Sequence, residues 1–135
     1  MKLHHIGIVV PNIKHSIGEL SNFISFEKIG TQTLIDSQKV NVCFLKIGNC
    51  NLELLEPAEE NSPISNFLKK GGGIHHLCFE VKNIHKEIDK IVNNGGRLIV
   101  EPVKGFENRL IAFVMLNMKN TKCNLIELAE EKSQL

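Results

Sequence analysis

The chain contains the same segment twice. Residues 3–20, LHHIGIVVPNIKHSIGEL, lie over residues 74–91, IHHLCFEVKNIHKEIDKI, at a constant offset of 71. His4 falls on His75, His5 on His76, Val10 on Val81, Asn12 on Asn83, Ile13 on Ile84 and Ile17 on Ile88. Further along, Leu52-Glu53-Leu54-Leu55-Glu56 lies over Ile126-Glu127-Leu128-Ala129-Glu130 at an offset of 74, as a slightly longer loop in the second copy would produce. Self-similarity on this scale means that one supersecondary unit occurs twice, and it limits the folds open to the chain.

Each copy reads as the same succession of elements. Ile6, Ile8 and Val10 alternate with Gly7 and Val9, and Leu77, Phe79 and Val81 alternate with Cys78 and Glu80, the period of a half-buried strand. Asn12 and Asn83 then stand as helix N-caps before apolar residues at helical spacing, Ile13, Ile17 and Leu20 in one copy and Ile84, Ile88 and Ile91 in the other. Further strands are expected over roughly 40–47 and 51–56, and over 98–101, 110–116 and 124–129. The predicted class is α+β, two βαβββ modules forming an eight-stranded curved sheet. They make one domain over 1–135, with repeat 1 at about 1–57, a connecting helix at about 58–73 and repeat 2 at about 74–130. In the connector, Ser62-Pro63 reads as N-cap and first helical residue, Ile64, Phe67 and Leu68 share a face, and Gly71-Gly72-Gly73 ends the helix.

Strand parity sorts the polar side chains. With Ile6, Ile8 and Val10 on the core face, His5 points away from it; with Leu77, Phe79 and Val81 on that face, so does His76. Leu52 and Leu54 place Glu53 on the opposite face, and Ile126 and Leu128 do the same for Glu127. One His and one Glu per module, related by a pseudo-twofold axis, would supply two imidazoles and two carboxylates to one ion. That donor set suits Zn²⁺, Co²⁺, Ni²⁺, Mn²⁺ or Fe²⁺. His4 and His75 have core-side parity and read as structural, while His15 and His85 read as solvated helix residues. Cys78 shares the parity of His76, but small core or strand residues are the expectation for all four cysteines, at 43, 50, 78 and 123.

Bulk properties narrow the partners. A chain of 135 residues with 42% apolar and 23% charged residues fits one globular domain. A formal net charge of +1 and the absence of Trp and Tyr argue against a nucleic-acid partner. No apolar run reaches the length of a membrane span, and MKLHHIGIVV reads as a strand rather than a signal peptide. Cysteines without a CxxC pair fit reduced thiols in a cytoplasmic protein.

The stretches LHHIGIVVPNI, LELLEPAEENSPISNFLKKGGGIHHLCFEV and LIEL resemble the methylmalonyl-CoA epimerases of the vicinal-oxygen-chelate superfamily over nearly the whole chain. The resemblance implies a metal at the floor of a cleft between paired modules, a small acyl-thioester substrate and a homodimer. The family's two histidine ligands fall on His5 and His76 and its C-terminal glutamate on Glu127. The remaining ligand, Gln in some members and Glu in others, falls on Glu53. Three segments depart from the family pattern: 104–109 (KGFENR), Asn117-Met118 and Lys122-Cys123.

The activity so implied is removal and return of a proton α to a thioester carbonyl. Glu53 and Glu127 would act as the acid–base pair and the metal as Lewis acid. A glyoxalase-I-like lactoylglutathione lyase shares the ligands and the chemistry of the intermediate, so the ligand set does not separate it. A non-catalytic small-molecule binding protein of the same architecture would not need the four ligands. Arg109 and Lys104 are candidate anion contacts, with ordinary loop charge as the plainer account.

Overall fold

The computed structural model describes residues 1–133. They form eight strands, β1 (Lys2–Val9), β2 (Glu27–Ile35), β3 (Val40–Ile47), β4 (Cys50–Pro57), β5 (Gly73–Val81), β6 (Arg97–Lys104), β7 (Leu110–Met115) and β8 (Leu125–Glu130). The α-helices are α1 (Ile13–Ser21), α2 (Ser65–Lys69) and α3 (Ile84–Asn93). This is the expected βαβββ order, twice, in an α+β protein with mixed strand pairing. Among the described residues, no helix is long and apolar enough to cross a membrane.

The chain falls into two compact units, one of residues 5–75 and the other of residues 1–4 together with His76 onward. In the first, β2 pairs antiparallel with β3, β3 antiparallel with β4, and β4 parallel with β1. In the second, β6 pairs antiparallel with β7, β7 antiparallel with β8, and β8 parallel with β5. Each block carries a helix on one face. Ile13, Cys43, Leu45 and Leu54 are buried in the first core, with Ile8, Val10, Ile17 and Leu52 packed against them. Val81, Ile84, Ile88, Ala112, Val114, Ile126 and Leu128 form the second, flanked by Leu77 and Phe79. Burying each large aliphatic side chain contributes about 1.5–3 kcal/mol.

The helix starts are built alike. Asn12 Oδ1 accepts from the His15 amide at 2.8 Å and Asn83 Oδ1 from the Lys86 amide at 3.0 Å. The Glu at the end of each repeated strand adds a carboxylate: Glu56 accepts from the Ile13 amide at 3.1 Å, and Glu130 from the Ile84 amide at 3.0 Å. A carboxylate there satisfies an orphan N–H and complements the helix dipole. The last Glu of each LELLE-type run is therefore a helix cap.

Two expectations are revised. Strand β2 lies outside the ranges read from the sequence; it is nearly all exposed, and its pairing shifts register between Ile29 and Thr33, where Gly30 has φ 67°. Polar residues and a glycine hide a strand of this kind from period-2 reading. Ser62-Pro63 does not open the connecting helix, which begins at Ser65 after a turn closed by a bond from the Ser65 amide to the Ser62 carbonyl (3.0 Å). The three glycines that follow all have positive φ. A Cβ on Gly72 would lie 2.8 Å from the Val9 carbonyl oxygen, at φ +69°. Gly72→Ala is therefore expected to cost roughly 2 kcal/mol or more in a urea titration; an unchanged midpoint would show that the backbone relaxes freely there.

Candidate functional site

In each unit the parallel strand pair sets one His beside one Glu. In the first unit Gly7 is the Cα partner of Glu53, so His5, two residues away, shares that face. His5 Nε2 lies 3.3 Å from Glu53 Oε1, and the residues are 1% and 3% exposed. In the second, Cys78 is the Cα partner of Glu127, and His76 Nε2 lies 3.3 Å from Glu127 Oε1, with exposures of 1% and 2%. The two expected pairs thus form, with the same atoms at the same separation.

An antiparallel neighbour braces each pair. Phe44 is the Cα partner of Glu53 and meets the His5 ring edge-on, centroids 5.2 Å apart at 73°. Phe113 is the partner of Glu127 and meets His76 at 5.3 Å and 85°. Sequence reasoning missed both phenylalanines. Their signal is the match of Cys43-Phe44-Leu45 with Ala112-Phe113-Val114, one more piece of the repeat. Such contacts hold an imidazole in one orientation and shield it from water.

The geometry fits ligation. A buried carboxylate carries a large desolvation cost unless it is paired or bound to metal. A separation of 3.3 Å is long for a charge-assisted N–H···O bond. It matches the edge of a coordination shell: donors about 2.1 Å from a cation at 90–110° lie roughly 3.0–3.4 Å apart. Each pair offers an imidazole nitrogen and a carboxylate oxygen, donors that suit a borderline divalent ion.

The other candidates have separate settings. His4 is half-buried with its ring 5.0 Å from that of Phe106, and His75 is half-buried against Phe67 at 4.8 Å. His15 and His85 are exposed. All four cysteines are free thiols; Cys43 and Cys78 are buried, and burial pushes the Cys43 thiol up. Lys104 is exposed. Arg109 is no free loop charge: its Nη1 donates to Glu80 Oε2 at 2.5 Å, and that bond holds the Glu80 carboxyl below its ordinary range.

Comparison with known proteins agrees with this architecture. Residues 4–113 match the family model of the glyoxalase/bleomycin resistance protein/dioxygenase superfamily. An ethylmalonyl-CoA/methylmalonyl-CoA epimerase of Cereibacter sphaeroides is 33% identical over 133 residues, 96% of this chain and 97% of that protein. Among solved structures, a hypothetical protein from Bacillus halodurans superposes with a TM-score of 0.86 at 38% identity, over 99% of this chain and 96% of that one. A substituted methylmalonyl-CoA epimerase of Streptomyces coelicolor, in complex with 2-nitronate-propionyl-CoA, superposes with a TM-score of 0.84 at 27% identity, over 98% of this chain and 99% of that one. The chain belongs to the glyoxalase/bleomycin resistance protein/dioxygenase superfamily, as a member resembling the methylmalonyl-CoA epimerases.

Proposed function

We propose that the chain is a metal-dependent epimerase acting α to a thioester carbonyl, with methylmalonyl-CoA as its substrate. In this reading His5, Glu53, His76 and Glu127 hold one divalent metal. The observation that carries it is the buried His–Glu pair, present once in each unit with the same 3.3 Å separation. The epimerase relatives supply the reaction class.

Epimerisation removes a proton from one face of the α-carbon and returns one to the other. A carboxylate oxygen of Glu53 or Glu127 takes the proton as the C–H electrons move into the carbonyl. The partner carboxyl delivers a proton from the opposite face, restoring the thioester and leaving the pair ready for the reverse turn. A bound divalent metal supplies a Lewis acid for the charge that develops on the carbonyl oxygen. His5 and His76, held edge-on by Phe44 and Phe113, fix the donor geometry. Burial of both glutamates shields the enolate from direct protonation by bulk water.

The deciding experiment is proton NMR of methylmalonyl-CoA in D₂O with metal-loaded protein. The expected result is washout of the α-proton that stops on chelation. Retention of the proton across several divalent metals would remove this substrate and move the search to hemithioacetals, the substrates of a glyoxalase-I-like lyase.

A further inference from the structure

Among the described residues, the second unit contains a charge pair whose carboxylate position is apolar in the first. At the repeat offset, Glu80 falls on Val9, an apolar residue that is 2% exposed. The βαβββ module therefore closes without a carboxylate at this position. By strand alternation Glu80 lies on the same face of β5 as His76 and Cys78. Its partner Arg109 has a side chain only 9% exposed. A half-buried ion pair is seldom more stabilising than an apolar pair of similar size, so stability alone gives no reason for it.

What the pair restrains is the turn 105–109. Glu107 and Asn108 have φ 52° and 58°, left-handed conformations that side chains avoid. Such backbone persists where its surroundings over-determine it, and it gathers at ligand clamps. Several contacts do so here. The Gly105 amide donates to the Arg109 carbonyl at 2.9 Å, and a Cβ on Gly105 would lie 2.5 Å from the Ile111 side chain. Phe106, 3% exposed, packs against the His4 ring and lies 5.5 Å beneath the Arg109 guanidinium. Glu107 pairs with Lys132, and its Oε2 lies 3.8 Å from Arg109 Nε. Burial pushes the Glu107 carboxyl up, but Lys132 and Arg109 outweigh it and hold the group low. Ile111 shares its strand face with Phe113, the residue that braces His76. The turn thus closes over the His76 face of its own unit.

We propose that the Glu80–Arg109 pair is a latch that fixes the 105–109 turn as a wall of the substrate site, making Arg109 a positioning residue for the thioester arm. The proposal rests on the epimerase reading for the identity of the substrate. Four residues of strand separate Glu80 from His76, about 13 Å. At that distance the wall meets the arm that leaves the carbonyl rather than the reacting carbon, so the latch governs KM more than kcat.

The test compares R109M, R109K and the double variant E80V/R109M, which copies the apolar solution at Val9, in the metal-loaded full chain. Circular dichroism first checks folding, and R109K carries the comparison if the others unfold. With methylmalonyl-CoA, R109M and the double variant are expected to raise KM about tenfold with kcat changed less than about threefold, R109K recovering part of the loss. Mn²⁺ affinity is expected to stay at the wild-type value. Cleavage after Glu107 by a Glu-specific protease is expected to quicken about tenfold as the turn opens. A double variant with wild-type KM overturns the proposal, because the pair would then be replaceable packing. Wild-type cleavage rates in all three variants overturn it as well. If the wild-type protein leaves methylmalonyl-CoA unchanged, the epimerase reading falls, while the cleavage rates still decide whether the pair latches the turn.

Discussion

Glu127→Gln is expected to abolish epimerisation, by about three orders of magnitude or more, while weakening metal binding about tenfold at most. The amide has the shape of the carboxylate and keeps an oxygen that can ligate, but it has no basic site for a proton. Its environment favours the clean comparison: Glu127 is 2% exposed and sits between Phe113 and Cys78 in the strand register, so an isosteric change leaves the packing in place. The two-carboxylate scheme makes a sharper claim. With Glu53 and Glu127 serving opposite faces, each single Gln variant retains α-proton exchange for one epimer of methylmalonyl-CoA and loses inversion. NMR in D₂O with each epimer separately reads both quantities. Equal loss of metal affinity and turnover in Glu127→Gln would sink the proton-transfer role and leave the carboxylate as a ligand alone.

The ease with which the site can be read from the sequence follows from the duplication. A single HH pair says little, since alternate residues of any strand face opposite ways. Twice over, with Leu52-Glu53-Leu54 and Ile126-Glu127-Leu128 repeating the same parity, the pattern places one imidazole and one carboxylate on a shared face of each module. Period-2 patterning reveals β1, β3, β4, β5, β7 and β8 because each has one face against a helix. It fails for β2, which has almost no buried face, and it blurs the start of α2, where Ser62-Pro63 closes a turn instead of capping a helix. The capping roles of Glu56 and Glu130 and the bracing by Phe44 and Phe113 were repeated in the sequence as well. They went unread because a helix cap 43 or 46 residues from its helix is a tertiary contact, invisible to local signals. Arg109 is the opposite case. Its partner Glu80 lies 29 residues away and breaks the repeat, so comparison of the two copies marks Glu80 as different without saying what it binds.

Removal of the metal carries the largest expected effect on stability. Without the ion, each unit retains a buried carboxylate beside a buried imidazole, at the cost such groups incur away from water. An ion that binds only the folded chain, at a free concentration about a thousand times its Kd, stabilises by about 4 kcal/mol. For a chain of this size that corresponds to a fall in Tm of roughly 10–15 °C on chelation, reversed by adding back the metal. Stoichiometry then separates a shared ion from two independent ones. If His5, Glu53, His76 and Glu127 hold a single metal, titration finds one ion per chain, and His5→Ala and His76→Ala each lose it, with the same fall in Tm. If each His–Glu pair bound its own ion, the wild-type chain would take up two and each variant would keep one. That outcome would end the shared-metal proposal and, with it, the placing of Glu53 and Glu127 on opposite faces of one substrate.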